Sequence, residues 1–302
     1  MGVLATITTR LFVPSSPVRT PGRVDLAGAG ILAVGLAALL IAISRGADWG
    51  WGSAQTLGLI AAGLVVLVLF GVFERRTPQP LINMRTFARR PVLTTNISTV
   101  LIGSAMISTF VLVPQLAQLP AGGDIGFGLS ATEAGLLLAP GSLVSLLVAP
   151  FVGRIGERRG SKPPFLAGCL ITAGALLGMA LAHDSVALVV LWSCVMSAGV
   201  GAAFAAIPNL IVVAVDENQT GEATGTNTVM RNIGSAIGAQ VAGSILATHV
   251  LANGLPSDAG FELAFLVSAI GAVVAALSVL LIPGRVRRAA TGRHPEPAAS
   301  AA

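Results

Sequence analysis

Apolar residues dominate this chain in eight long runs, near residues 25–44, 56–74, 92–119, 130–152, 163–182, 186–212, 223–247 and 261–282. A hydrocarbon core about 30 Å thick is crossed by about 20 helical residues, so each run is long enough to span a bilayer. The runs are rich in Leu, Ala and Gly and do not alternate with polar positions. Lipid offers no partners to backbone polar groups, which leaves helices or a closed barrel, and the missing alternation selects helices. The expected fold is therefore all-α, a bundle of eight transmembrane helices.

Short polar connections punctuate the runs, at 45–55, 120–129, 153–162, 183–185, 213–222 and 248–260. The longer connection, 75–91, carries Pro78, Pro80 and Pro91, which break a continuous helix. It divides a two-helix hairpin (25–74) from a six-helix bundle (92–282), flanked by an N-terminal segment (1–24) and a basic, Ala/Pro-rich tail (283–302) read as disordered.

Charge adds direction. Of 18 Lys and Arg residues, all but Arg45 and Arg231 fall in the termini or in loops on one side of the predicted spans. That bias is the positive-inside pattern and predicts a multi-pass protein of the cell membrane with both termini cytoplasmic. Trp49 and Trp51 lie in the opposite loop, where indole rings anchor at headgroup level. A composition of 54% hydrophobic and 10% charged residues does not suit a soluble domain. The net charge of +5 belongs to juxtamembrane loops and anionic lipid headgroups, with no basic patch interleaved with aromatics to suggest nucleic acid. Cys169 and Cys194 fall inside spans and read as small packing residues rather than a disulfide.

Two segments carry specific signals. In GRIGERRGSK, Gly153 to Lys162, Gly160 suits a helix end that needs positive φ, and Glu157 is placed to pair with neighbouring Arg residues or the next helix N-terminus. In residues 216–238, Thr224, Asn227, Thr228, Arg231 and Ser235 recur every three or four residues and share one helix face. Gly234 and Gly238, continued by Gly243, mark close helix packing. Arg231 sits roughly 12 Å into its predicted span, where an Arg costs about 2.5–3.5 kcal/mol on insertion scales. It must face protein or water, or snorkel to the headgroups. On the third span, Asn96, Thr99 and Gly103 fall at helical spacing, and Pro114 precedes Gln115 and Gln118 near its outer end.

All Asp, Glu and His residues fall at helix ends, in loops or in tails. No metal-ligand cluster, catalytic triad or phosphate-cradling loop is legible, so neither an enzyme, a metal nor a cofactor is expected.

The Gly153–Lys162 segment resembles the cytoplasmic loop signature of the major facilitator superfamily, glycine–x–leucine–alanine–aspartate–arginine–x–glycine–arginine–lysine, at Gly153, Arg158, Gly160 and Lys162. It departs at Ile155, Glu157 and Ser161. Residues 219–225 resemble the glutamine–threonine–glycine–x–alanine–threonine–glycine helix start of fourteen-helix drug:proton antiporters, at Gln219, Thr220, Gly221, Ala223, Thr224 and Gly225. The resemblance implies that 25–74 is the central hairpin and 92–282 the C-terminal six helices, with the N-terminal half absent. It further implies a conformational latch at Gly153, Glu157, Arg158, Gly160 and Lys162. Asn96, Gln115, Gln118, Asn227 and Arg231 are then candidates to line the path of a small amphiphilic substrate. On this reading transport requires an N-terminal half or a second copy. The alternative is a stand-alone membrane scaffold that uses the polar face near Asn227 to bind a partner.

Overall fold

A computed structural model describes residues 25–121, 125–216 and 219–282. The N-terminal segment 1–24 and the tail 283–302 lie outside the described residues.

The described residues form the helices α1 (Leu26–Trp49), α2 (Ala54–Glu74), α3 (Met84–Phe87), α4 (Arg90–Gln118), α5 (Ala131–Leu136), α6 (Ala139–Arg159), α7 (Lys162–Leu181), α8 (Val186–Ala214), α9 (Thr220–Thr248) and α10 (Asp258–Leu280). Local chemistry sets the ends. Asp25 caps α1 through Gly28 N at 2.8 Å. Ser53 and Ser185 cap α2 and α8. Ser130 and Glu133 close a reciprocal capping box on α5, satisfying N–H groups that the first turn cannot pair internally.

Among the described residues, seven spans are long and apolar enough to cross a membrane, with α5 and α6 together forming one of them. The expected eighth, α9, has 29 residues but does not meet that standard of apolarity. Its polar side chains are what lower it, and its neighbours accommodate several of them. Two boundaries also differ from expectation. The run at 130–152 is not one helix start to finish, since Leu137 and Leu138 separate α5 from α6. The loop expected at 153–162 shrinks to Gly160 and Ser161, because α6 continues to Arg159. Nothing in that helical stretch opposes continuation until Gly160, whose φ of +81° ends it. Conversely, α4 runs through Pro114 and α8 through Pro208 without a break.

The hairpin α1–α2 packs on itself and docks through α1 against α9. Leu32, Phe70 and Ile82 form a small core there, with Val229 and Met230 of α9 packed against it. The larger core joins α4, α7, α8, α9 and α10 around Phe165, Leu176, Met179, Met196, Phe261 and Phe265. In lipid, apolar burial gives little net drive, so dispersion contacts and close backbone approach hold such helices together. The outer faces of α2 (Leu64, Val65, Val68) and α6 (Leu143, Leu146, Leu147) are apolar and exposed, as lipid contact requires.

α7 and α10 are tied at both ends. Lys162 Nζ donates to the carbonyls of Leu280, at 2.9 Å, and Ile282, capping the last turn of α10. At the other end the buried His183 lies between Met179 O at 2.7 Å and Asp258 Oδ1 at 2.8 Å. Cys169 and Cys194 are free thiols.

Candidate functional site

The tightest approach in the molecule joins α4 to α9. A methyl group at Gly234 would overlap Val100 O, and one at Gly238 would overlap Ser104 O. From the other side, a Cβ at Gly103 would stand 3.0 Å from Arg231 O. Ser108 Oγ donates to Gly238 O at 3.3 Å. Missing side chains thus let the two backbones meet, as the Gly-x-x-x-Gly spacing suggests. Gly243 does not extend the contact: a Cβ there would meet nothing within 4 Å, because the close approach is confined to the preceding turns.

One turn before this seam, Asn227 Nδ2 donates to Asn96 Oδ1 and to Thr99 Oγ1, both at 2.9 Å. All three residues are buried. Asn96 and Asn227 therefore do not line open space in this chain; they bind the two helices to each other. Asn96 Nδ2 has no hydrogen-bond partner among the described residues.

Arg231 lies at the centre of α9 and is half-buried. Among the described residues it makes no ion pair; its guanidinium carbon stands 5.4 Å from the Phe204 ring centroid on α8. That cation–π contact partly replaces lost hydration and leaves the guanidinium donors free for an acceptor. Beside Arg231 runs an exposed stripe of Gly221, Gly225, Thr228 and Asn232, spaced three or four residues apart. The helix thus has two polar faces, one spent on α4 and one open. Asn232 and Phe204 were not singled out in the sequence. The shared periodicity of Thr228 and Asn232 is a usable signal, whereas nothing distinguishes Phe204 from a lipid-facing Phe.

Gln115 and Gln118 are exposed and stand apart from this group, roughly 18 Å further along α4 than Gly103 for Gln115. Gln118 Nε2 turns back to Pro114 O at 2.9 Å, satisfying itself locally.

The latch candidates are distributed differently than expected. Gly153, Glu157 and Arg158 lie on α6 rather than in a loop. Glu157 is exposed and forms no ion pair among the described residues, in contrast to the expected pairing; water solvates an exposed carboxylate about as well as a surface ion pair would. Among these candidates Lys162 makes a long-range contact, the cap on α10.

At the same end of the bundle the 75–91 connection is stitched to the start of α9. Asn83 N donates to Glu222 Oε1 at 3.0 Å, Thr86 Oγ1 to Gln219 Oε1 at 3.1 Å, and Arg89 pairs with Asp216 at 3.5 Å. The helix start at 219–225 therefore serves, in part, to seat the connection between hairpin and bundle.

A bundle of apolar, membrane-length helices that encloses one polar, arginine-bearing helix defines the chain as a polytopic helical membrane protein. The family model described as Major Facilitator Superfamily matches residues 2–239 and 97–301, and the chain belongs to that superfamily. It is 30% identical over 254 residues to the multidrug resistance protein Stp of Mycobacterium tuberculosis, covering 84% of this chain and 46% of that protein. The tetracenomycin C resistance and export protein of Streptomyces glaucescens is 26% identical over 234 residues, covering 77% and 42%. The multidrug transporter protein MdtP of Bacillus subtilis is 26% identical over 250 residues, covering 82% and 45%. The chain thus spans about half the length of the curated relatives it matches.

Proposed function

We propose that the chain forms one wall of the transport path of a proton-coupled exporter of small amphiphilic molecules, in the cell membrane with both termini cytoplasmic. The observation that carries this reading is the open polar stripe of α9 beside Arg231. A half-buried Arg and an exposed Asn232 at mid-helix are costly against lipid and suit a water-filled path. The names of the relatives, which concern drug resistance and export, favour the same class of substrate.

Sites in such folds lie near the bilayer midplane between two units that rock against each other. The second wall is an N-terminal six-helix half or a second copy of this chain. Within the pair, α9 presents Arg231 and Asn232 to the substrate, while Asn96 and Asn227 keep α9 rigidly joined to α4. The Gly153–Lys162 segment supplies the latch, with Lys162 linking the α6–α7 turn to α10.

Vesicles holding only this polypeptide should show no proton-driven efflux of ethidium. Membranes that also contain the N-terminal half of a similar exporter should restore it. Efflux from the single polypeptide would overturn the requirement for a second wall, and failure of both preparations would overturn the transport reading.

A further inference from the structure

Glu74 closes α2 and is followed by Arg75 and Arg76, so by sequence it reads as a solvated helix-end acid. It is instead buried, with a relative exposure of 2%. Its Oε2 accepts from Ile82 N at 3.3 Å, fastening the 75–91 connection to the hairpin. Its Oε1 has no hydrogen-bond partner among the described residues. Asp25, at the start of α1, shows the complementary defect. Its Oδ1 caps Gly28 N, whereas its Oδ2 is buried and unpartnered. A methyl group at Gly28 would collide with both Glu74 Oε1 and Asp25 Oδ2, so the two orphan oxygens flank one point on α1.

We propose that Asp25 and Glu74 form a proton-binding site at the junction of hairpin and connection, holding one shared proton between Glu74 Oε1 and Asp25 Oδ2. The proton comes from water on that face; no other bond is made or broken. Two buried carboxylate oxygens that crowd the same point on α1 cannot both stay ionised at low cost, and a single O–H···O bond satisfies both orphan atoms. Among the described residues the other charged group near Glu74 is Glu222 of α9, again an acid; from the connection the Ile82 N–H reaches Glu74. Arg75 and Arg76 are exposed. A metal cation is a poorer occupant, since no group of three or more potential ligands exists among the described residues.

The consequence is mechanical. The same Glu74 holds Ile82, and the adjoining Asn83 is held by Glu222, so the proton sits where hairpin, connection and α9 converge. Loss of the proton leaves two buried like charges beside Gly28 and loosens that junction. This inference needs no second wall and no transport, so it stands or falls apart from the proposed function.

The test is infrared spectroscopy of this polypeptide in lipid nanodiscs. A protonated-carboxyl C=O band should persist at neutral pH and disappear in Glu74→Gln, whose amide replaces the O–H donor toward Asp25. It should also disappear in Asp25→Asn, where the new amide serves an ionised Glu74. The unsubstituted protein should melt at lower temperature as pH rises, because the folded state binds a proton that the unfolded chain gives up. Glu74→Gln should lose most of that dependence. Should the variants fold poorly, the pH series on the unsubstituted chain alone decides. Absence of the band at neutral pH, spectra that Glu74→Gln leaves unchanged, or a melting temperature raised by sodium chloride with no band present would each overturn the proposal.

Discussion

Asn227 on α9 donates to Asn96 and Thr99 on α4 at once, so one amide bridges two side chains about a turn apart on the facing helix. Interhelical hydrogen bonds in bilayers average about 0.6 kcal/mol and reach about 1.7. Asn227→Leu removes both donations and leaves Asn96 Oδ1 and Thr99 Oγ1 without their donor. A loss of about 1–2 kcal/mol is expected, read as a lower midpoint in denaturant titration of the reconstituted protein. An unchanged midpoint would assign Asn227 to the substrate path rather than to the seam.

The glycines of α9 should divide sharply. At Gly234 any side chain meets the carbonyl of Val100, a backbone atom that cannot rotate away. Gly234→Ala should separate α4 from α9 and sharply lower the yield of monodisperse protein in mild detergent. Gly243→Ala adds a methyl into open space and removes a flexible residue from a helix, so yield and stability should hold or rise slightly. Equal damage from both would contradict the packing described.

Gly160 ends α6 at φ +81°, a region that costs a side-chain-bearing residue about 1 kcal/mol or more. Gly160→Ala should lower the thermal midpoint by an amount of that order, whereas Gly153→Ala, on the helix and in open space, should not. Circular dichroism melts of the two variants side by side make the comparison.

Lys162 and His183 hold opposite ends of the same helix pair, α7 and α10. Lys162→Met removes a cationic cap from the end of α10, worth about 0.3–1 kcal/mol by its dipole interaction and more through direct bonding. Proteolysis should then advance past Ile282 into the last turn of α10. His183→Ala should instead raise amide exchange near Asp258. If both variants opened the same end, the two ties would not be separate.

Arg231 offers the functional test. In the assembled transporter, Arg231→Ala should alter which amphiphiles are exported while expression holds, and Phe204→Leu should do so in the same direction, because the ring positions the guanidinium. A change in expression without a change in selectivity would make Arg231 a structural tie.

The sequence by itself determined a helical membrane protein. Run length and hydropathy are local properties, and the lipid environment converts them directly into helices. Gly160, Gly234 and Gly238 were also legible, since a turn and a close contact each demand the absence of a side chain. Tertiary structure alone decided which polar residues are spent on packing and which stay open. Asn96 and Asn227 turn toward each other across 131 positions of sequence, while Thr228 and Asn232, one step around the same helix, turn away. It also decided that His183 is buried against Asp258 and that Glu74 is buried beside Gly28. Periodicity fixes the face on which a residue lies, but the helix that arrives against that face is set by the packing of the whole chain.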